Sequence, residues 1–445
     1  MKRLIKYIDN NVLIKVASLN SASVITKIIT GFLTSKTIAL FVGAEGLALI
    51  GNLRNFLSSA QTFATLGIYN GVVKYIAEFK NNAVELGKTV STVFYLGFIS
   101  TVIVSFFCYF NADYINDQIF ATYNDYAYVI KILAVALPFY SLNLFTFSIL
   151  NGFSKFKILI IINILGQILG TSITILLIYK DKIDGALVAV AIAESLIFLI
   201  TMVGISYQRS LIPLIKIKSI SIGYIKKLSA YSIMALFSAI VLPIVALAIR
   251  NYISENIGLR EAGFWEAMNR ISKYYLMFVS SLLGLYVLPR LSEIDSVKEF
   301  RKEVFGFYKT IIPVFALGLL VIYLLRPFII AIIFSAEFKP VEDLFLWQLL
   351  GDFVKVLSMV IAYQFLAKKM FWHYIIIEAF FVITLYISSK YFVDIYGVKG
   401  ANMAHFATYV LHYVVILLTF SSSLFGVLPD EILNQSEEND DEDKS

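Results

Sequence analysis

Long apolar runs recur along almost the whole chain, and they constrain the fold more than any other feature. A helix needs about 20 consecutive, largely apolar residues to cross the hydrocarbon core of a bilayer. Twelve segments meet that length, at about 19–43, 47–70, 86–110, 126–150, 157–179, 185–206, 229–251, 262–288, 305–327, 341–366, 371–392 and 399–426. Backbone polar groups find no water in lipid, so runs of this kind are satisfied only as helices or closed barrels. Their length selects helices. The expected fold is an all-α integral membrane protein with twelve transmembrane helices. Composition agrees: 59% of the 445 residues are hydrophobic and 15% charged, where a soluble domain carries about a quarter charged.

The connections between runs are too short to hold a folded soluble domain, and the most polar is the linker 207–228 with Arg209, Lys216, Lys218, Lys226 and Lys227. Lysine and arginine bias sets orientation. With the N-terminus inside, the inner connections hold Lys80 and Lys88, Lys155 and Lys157, the basic linker, Lys298 with Arg301 and Lys302, and Lys368 with Lys369. Both termini are therefore expected in the cytoplasm. The opening MKRLIKYIDNNVLIKV has no uninterrupted apolar core, and reads as an interfacial helix rather than a removable signal peptide. The acidic end, EENDDEDKS, reads as a solvated, disordered tail. Cys108 is the single cysteine, so no intramolecular disulfide forms.

The chain also repeats itself. GLALIGNLRN (46–55) aligns with GFWEAMNRIS (263–272), VKYIAE (73–78) with PRLSE (289–293), and DGALVAVA (184–191) with KGANMAHF (399–406). All three share nearly one offset, close to half the chain. An even number of spans per unit makes the repeats parallel, with a substrate site expected at their interface. The expected domains are a six-helix lobe at 1–215, a second at 216–428, and the tail at 429–445.

Ionisable residues inside apolar runs mark functional positions by default. They are Lys27, Lys36, Arg54, Lys131, Glu194, Arg250, Arg270, Lys273, Asp352, Lys355 and Glu378. Cations outnumber anions, and the surplus asks for a counter-charge from water, lipid or substrate. Lys131, Arg250 and Lys273 read as snorkelling to headgroups. Asp352 and Lys355 are three apart on one helix face; they form an internal ion pair or a gate. Glu194 and Glu378 read as a proton or sodium relay, or as partners of lysines on other helices. Lys27 and Arg54 lie far from helix ends and are read as facing substrate. Three histidines, His373, His405 and His412, come without clustered carboxylates and read as interior packing rather than a metal site. Trp265, Tyr274 and Tyr275 are candidates for stacking against a sugar. Pro138, Pro243 and Pro313 fall inside spans, as bending points or as static kinks. No Walker A sequence is present, so this chain is not expected to hydrolyse ATP. No outer connection is long enough to hold glycan-polymerising chemistry, so an enzyme is not expected, and no cofactor or nucleic-acid partner is implied.

TKIITGFLTSKTIALFVGAEGLALIGNLRNF, LGIYNGVVKYIAEF, LFLWQLLGDFVKVL and the following FLAK resemble the Wzx-type O-antigen translocases. Within them they resemble the lipid III (enterobacterial common antigen) flippases, of the polysaccharide transporter family in the MOP (MATE-like) superfamily. The resemblance runs through nearly the whole chain and stops at the acidic tail. It implies two parallel six-helix lobes around a cavity and alternating access in a bacterial inner membrane. The implied substrate is an undecaprenyl-pyrophosphate-linked oligosaccharide. H+ or Na+ is the implied coupling ion, with glycan polymerase and chain-length proteins as partners. Lys27, Arg54, Lys74, Asp352 and Lys355 fall in the matching blocks, whereas Arg270 and Arg290 depart from them while joining the cationic set. Arginine and lysine in a hydrated cavity replace part of the water around a pyrophosphate. The competing reading is an ion-coupled exporter of amphipathic cations, as in the MATE branch; it would call for carboxylates and aromatic residues where this chain has a cationic surplus.

Overall fold

Helix boundaries in the computed structural model follow the apolar runs. The structure describes residues 12–79, 81–120, 126–206, 219–294, 296–368 and 370–425. The interfacial opening before residue 12, most of the basic linker (207–218) and the acidic tail lie outside the described residues. The helices are α1 (Val12–Phe41), α2 (Gly43–Thr65), α3 (Tyr69–Phe79), α4 (Ala83–Phe110), α5 (Ala112–Phe120), α6 (Ala127–Gly152), α7 (Phe156–Ser206) and α8 (Ile222–Asn256). They continue with α9 (Leu259–Leu282), a π-helical turn at Leu283–Val287, α10 (Leu288–Glu293), α11 (Val297–Leu324), α12 (Arg326–Ile333), a 3₁₀ stretch at Ala336–Leu344, α13 (Phe345–Ala367), α14 (Phe371–Tyr396), α15 (Val398–Thr419) and α16 (Ser421–Phe425).

Local chemistry sets the ends. The Asn82 side chain accepts from the backbone N–H groups of Val84 and Glu85, each at 3.2 Å, and starts α4. Ser296 accepts from the Glu299 N–H at 3.2 Å and starts α11; the SVKE sequence there has the S-x-x-E spacing of a helix start. Lys182 is left-handed (φ 48) and breaks α7 into two helical arms, at the gap between the fifth and sixth predicted spans. Pro138, Pro243 and Pro313 lie inside α6, α8 and α11.

By length and apolarity, nine helices among the described residues qualify as membrane-crossing, the two arms of α7 counted together. Of the twelve predicted segments, those on α2 and α9 fall short of this standard. The reason is charge and polarity: α2 carries Glu45, Asn52, Arg54 and Asn55, and α9 carries Arg260, Glu261, Glu266, Arg270 and Lys273.

The chain forms two compact units. One holds residues 1–251 with Ile332–Glu337; the other holds Tyr252–Ala331 and residues 338–445. The boundary thus falls inside α8. In the first unit, Ile68, Val72, Ile76, Val90, Val93 and Ile149 pack α3, α4 and α6 together. In the second, Leu283, Leu291, Val304, Val356, Ile361 and Ile416 join α11, α13 and α15 to the segment after α9.

Each unit contains the same tight contact. A Cβ on Gly185 would run into the Leu177 carbonyl, and a Cβ on Gly400 would run into the Phe392 carbonyl. Both glycines pack on the carbonyl eight residues earlier, at aligned positions of the DGALVAVA and KGANMAHF repeats. The internal duplication is therefore visible in backbone geometry as well as in sequence.

Candidate functional site

In the second unit, helices α9, α13 and α15 pack against one another and bring polar side chains together around Asp352. Its carboxylate is fully buried. Oδ2 accepts from Ser272 Oγ at 2.5 Å, from the Tyr275 hydroxyl, and from Gln348 Nε2 at 3.2 Å. Oδ1 lies 3.0 Å from His405 Nε2. Gln348 is fixed in turn by Asn402, whose Nδ2 donates to Gln348 Oε1 at 2.7 Å. An ionised carboxylate offers acceptors alone, which suits this ring of donors. His405 lies close against α13 because residue 351 is glycine: a Cβ there would overlap the imidazole.

Lys355 lies one turn along α13. Its Nζ sits 5.4 Å from the centre of the Tyr409 ring, and it interacts electrostatically with Asp352 and with Glu378 of α14. Tyr409 meets His405 edge to face at 4.8 Å, and Phe381 at the same distance. The acids and bases thus form a continuous series, Asp352–His405–Tyr409–Lys355–Glu378, inside one unit.

This geometry revises three sequence expectations. Asp352 pairs at hydrogen-bond distance with His405 instead of Lys355, because α15 presents a donor to the carboxylate where α13 presents only its own neighbouring turn. His405 is accordingly more than packing. Tyr275, read as a sugar-stacking candidate, spends its hydroxyl on Asp352. A sequence signal for the α15 partners was there: Asn402, His405, Tyr409 and His412 recur at helical spacing along one side of a mainly apolar helix.

The other predicted residues are distributed differently. Arg270 is buried and pairs with Glu266 on its own helix, Nε to Oε1 at 3.3 Å. Arg290 is exposed and pairs with Glu303 at 3.7 Å. In the first unit, Lys27 is exposed on α1 and Arg54 is half-buried on α2. The Lys74 side chain lies outside the described residues. Glu194 accepts from Gln61 Nε2 at 2.8 Å. Lys36 donates to the Phe334 carbonyl just past the end of α12, where the helix dipole favours a cation.

Arg250, expected to snorkel, is 2% exposed instead. Its Nη1 donates to Asn52 Oδ1 at 2.8 Å, while Asn52 Nδ2 donates to the Ile119 carbonyl at 2.8 Å and to Asn251 Oδ1 at 3.0 Å. The guanidinium is held in the protein because α2 supplies the Asn52 oxygen as an acceptor, and the Ile119 carbonyl of α5 in turn fixes the Asn52 amide.

Apolar helices in two units, with ionisable groups held inside the bundle, define a multi-pass membrane protein of transporter type. The fold is shared with a multidrug resistance MATE family transporter of the MOP superfamily, which superimposes with a TM-score of 0.71 over 89% of this chain and 95% of its own, at 13% identity. The lipid II flippase MurJ superimposes with a TM-score of 0.68 over 92% and 87%, at 15% identity. The chain belongs to the polysaccharide biosynthesis protein family, whose profile matches residues 12–295. It is also similar to the lipid III flippase of Escherichia coli K12, with 29% identity over 408 residues, 90% of this chain and 96% of that protein.

Proposed function

We propose that this protein is a flippase for undecaprenyl-pyrophosphate-linked oligosaccharide repeat units of the O-antigen or common-antigen type. It carries them from the cytoplasmic to the outer leaflet of the bacterial inner membrane by ion-coupled alternating access. Both termini lie in the cytoplasm. The similarity to the lipid III flippase along nearly all of both chains carries this reading. No covalent step is required, so the protein acts as a transporter and not as an enzyme. The prenyl chain stays in lipid while the charged head group crosses in a hydrated path.

Within this reading, Lys27, Arg54 and Lys74 meet the pyrophosphate. Arg270 and Arg290, each matched to a carboxylate, complete the cationic set that receives the substrate. The Asp352 series, with Lys355 and Glu378, is the coupling element: H+ or Na+ binding there changes which groups His405 and Lys355 neutralise. Glu194, held by Gln61, is a second coupling position in the other unit. Glycan polymerase and chain-length proteins take the product on the outer side.

Translocation of a short-sugar undecaprenyl pyrophosphate in proteoliposomes tests the proposal, wild type beside Arg54→Ala. Movement by wild type and its loss in the variant, at equal folded protein, is the expected result. Transport of an organic cation, with lipid-linked substrates (cognate sugars included) left in place, would replace this reading with the MATE-like exporter.

A further inference from the structure

Helices α3, α4 and α6 of the first unit, with the end of α2, leave a slot between them that the Asp352 series and the cationic residues do not use. It holds about 560 Å³ of space free of protein atoms, counting its open face. Phe94, Gly97, Phe98, Ser141, Leu142 and Phe145 line it. Two observations show that this is a place for a ligand. A Cβ on Gly97 would meet no atom within 4 Å, so the wall is recessed there. Phe98, on the rim, is 52% exposed on a helix that qualifies as membrane-crossing, so the slot opens towards hydrocarbon.

The walls decide the chemistry. A sugar or phosphate placed here would give up water for aromatic rings, and buried polar groups are costly without partners. A hydrocarbon chain loses nothing. The rings are set to grip one: Phe94 meets Phe145 edge to face at 5.3 Å and stacks on Phe98 at 6.2 Å. Alkene faces and methyl branches pack on such rings. A chain stiffened by trisubstituted double bonds also loses less freedom on binding than a saturated acyl chain.

One end of the slot leads to exposed lysines: beyond the Ser148 end of α6, Lys155 and Lys157 are exposed, whereas Lys88 of α4 is already paired with Glu85 at 2.7 Å. Apolar walls with lysines at one end match an amphiphile whose phosphate lies outside and whose chain lies within.

We infer that this slot seats the first isoprenoid units of the polyprenyl phosphate carrier, holding the tail against the first unit while the head group crosses. The inference rests on the proposed flippase function. It adds a tail-recognition site made wholly of first-unit residues, on the lysine-rich side assigned to the cytoplasm.

Photo-crosslinking tests it without requiring transport. The full-length protein carries p-benzoylphenylalanine in place of Leu142, in nanodiscs containing phosphatidylethanolamine, phosphatidylglycerol and a trace of undecaprenyl phosphate. The expected adduct is undecaprenyl phosphate, competed away by more of it and not by phosphatidylglycerol. Gly97→Phe and Ser141→Leu each fill the slot and lower the adduct about tenfold in protein that elutes and melts as wild type does. Equal labelling by phosphatidylglycerol would make the slot a general acyl groove and overturn the inference; so would undiminished labelling in both variants. Labelling without flipping of lipid-linked sugar would overturn the function and leave the slot assigned. Flipping without labelling would remove the slot alone.

Discussion

Asp352→Leu separates a carboxylate that organises the bundle from one that merely tolerates it. The wild-type group takes four partners, Ser272, Tyr275, Gln348 and His405. Hydrogen bonds to a charged group contribute about 1.5–3 kcal/mol each, but desolvating the carboxylate opposes them by several kcal/mol. The net effect therefore comes from what the substitution strands. Ser272 can turn its hydroxyl to a carbonyl on its own helix, and Gln348 keeps Asn402. Tyr275 and His405 are left facing an aliphatic chain. Two buried donors without acceptors, at about 1–3 kcal/mol each, give a loss of about 2–6 kcal/mol. Asp352→Asn keeps one acceptor oxygen and the shape, so its loss falls between wild type and Asp352→Leu.

Denaturant unfolding of the purified protein in detergent micelles reads this directly. Tryptophan fluorescence reports on it in a Trp265→Phe/Trp372→Phe background, where the remaining Trp347 lies on the same helix and packs on Phe406 at 5.8 Å. The expected order of stability is wild type, then Asn, then Leu, with the His405→Phe variant coupled to Asp352→Leu by more than ~0.5 kcal/mol in a double-mutant cycle. An Asp352→Leu protein within ~0.5 kcal/mol of wild type, or more stable than Asp352→Asn, would refute the argument. The ring of donors would then be a consequence of burial and not its cause.

Two further substitutions check the packing that frames the site. Asn52→Ala removes an acceptor from the buried Arg250 guanidinium and should cost about 3 kcal/mol in the same unfolding assay; the double variant Asn52→Leu/Arg250→Leu should recover most of it, and failure to recover would show that the charge is not the source of the loss. Gly400→Ala drives a Cβ into the Phe392 carbonyl and should destabilise by ~3 kcal/mol or more, with Gly185→Ala matching it in the other unit; wild-type melting by either variant would contradict the tight contact.

Much of the fold was legible because a bilayer leaves few choices. Each predicted span lies on a helix, the break near residue 182 falls between two of them, and the starts at Asn82 and Ser296 carry ordinary capping chemistry. The site was legible only in part. Asp352 and Lys355 stand out as charges in an apolar run, yet their spacing speaks only of a shared helix face. The partner of Asp352 lies 53 residues away on α15, and periodicity on one helix does not say which neighbour it packs against. Ser272 and Gln348 carry no charge and do not stand out from an apolar background until packing brings them to a carboxylate.

The surplus of intramembrane cations takes a different meaning once their partners are known. Counting charges suggests that water, lipid or substrate must neutralise the excess. Part of the excess meets neutral oxygens as well: Lys36 donates to the Phe334 carbonyl and Arg250 to the Asn52 amide oxygen. Arg270 and Arg290 take carboxylates that the count of spans overlooked, Glu266 and Glu303. A carbonyl or amide dipole stabilises a cation without adding a formal charge, so a bundle can hold more lysine and arginine than aspartate and glutamate and remain satisfied. In the proposed function an anionic head group is therefore met by position and not by total charge: Lys27 is exposed on α1 and Arg54 half-buried on α2, and lysine and arginine side chains of this kind bind phosphate oxygens through charge-assisted hydrogen bonds.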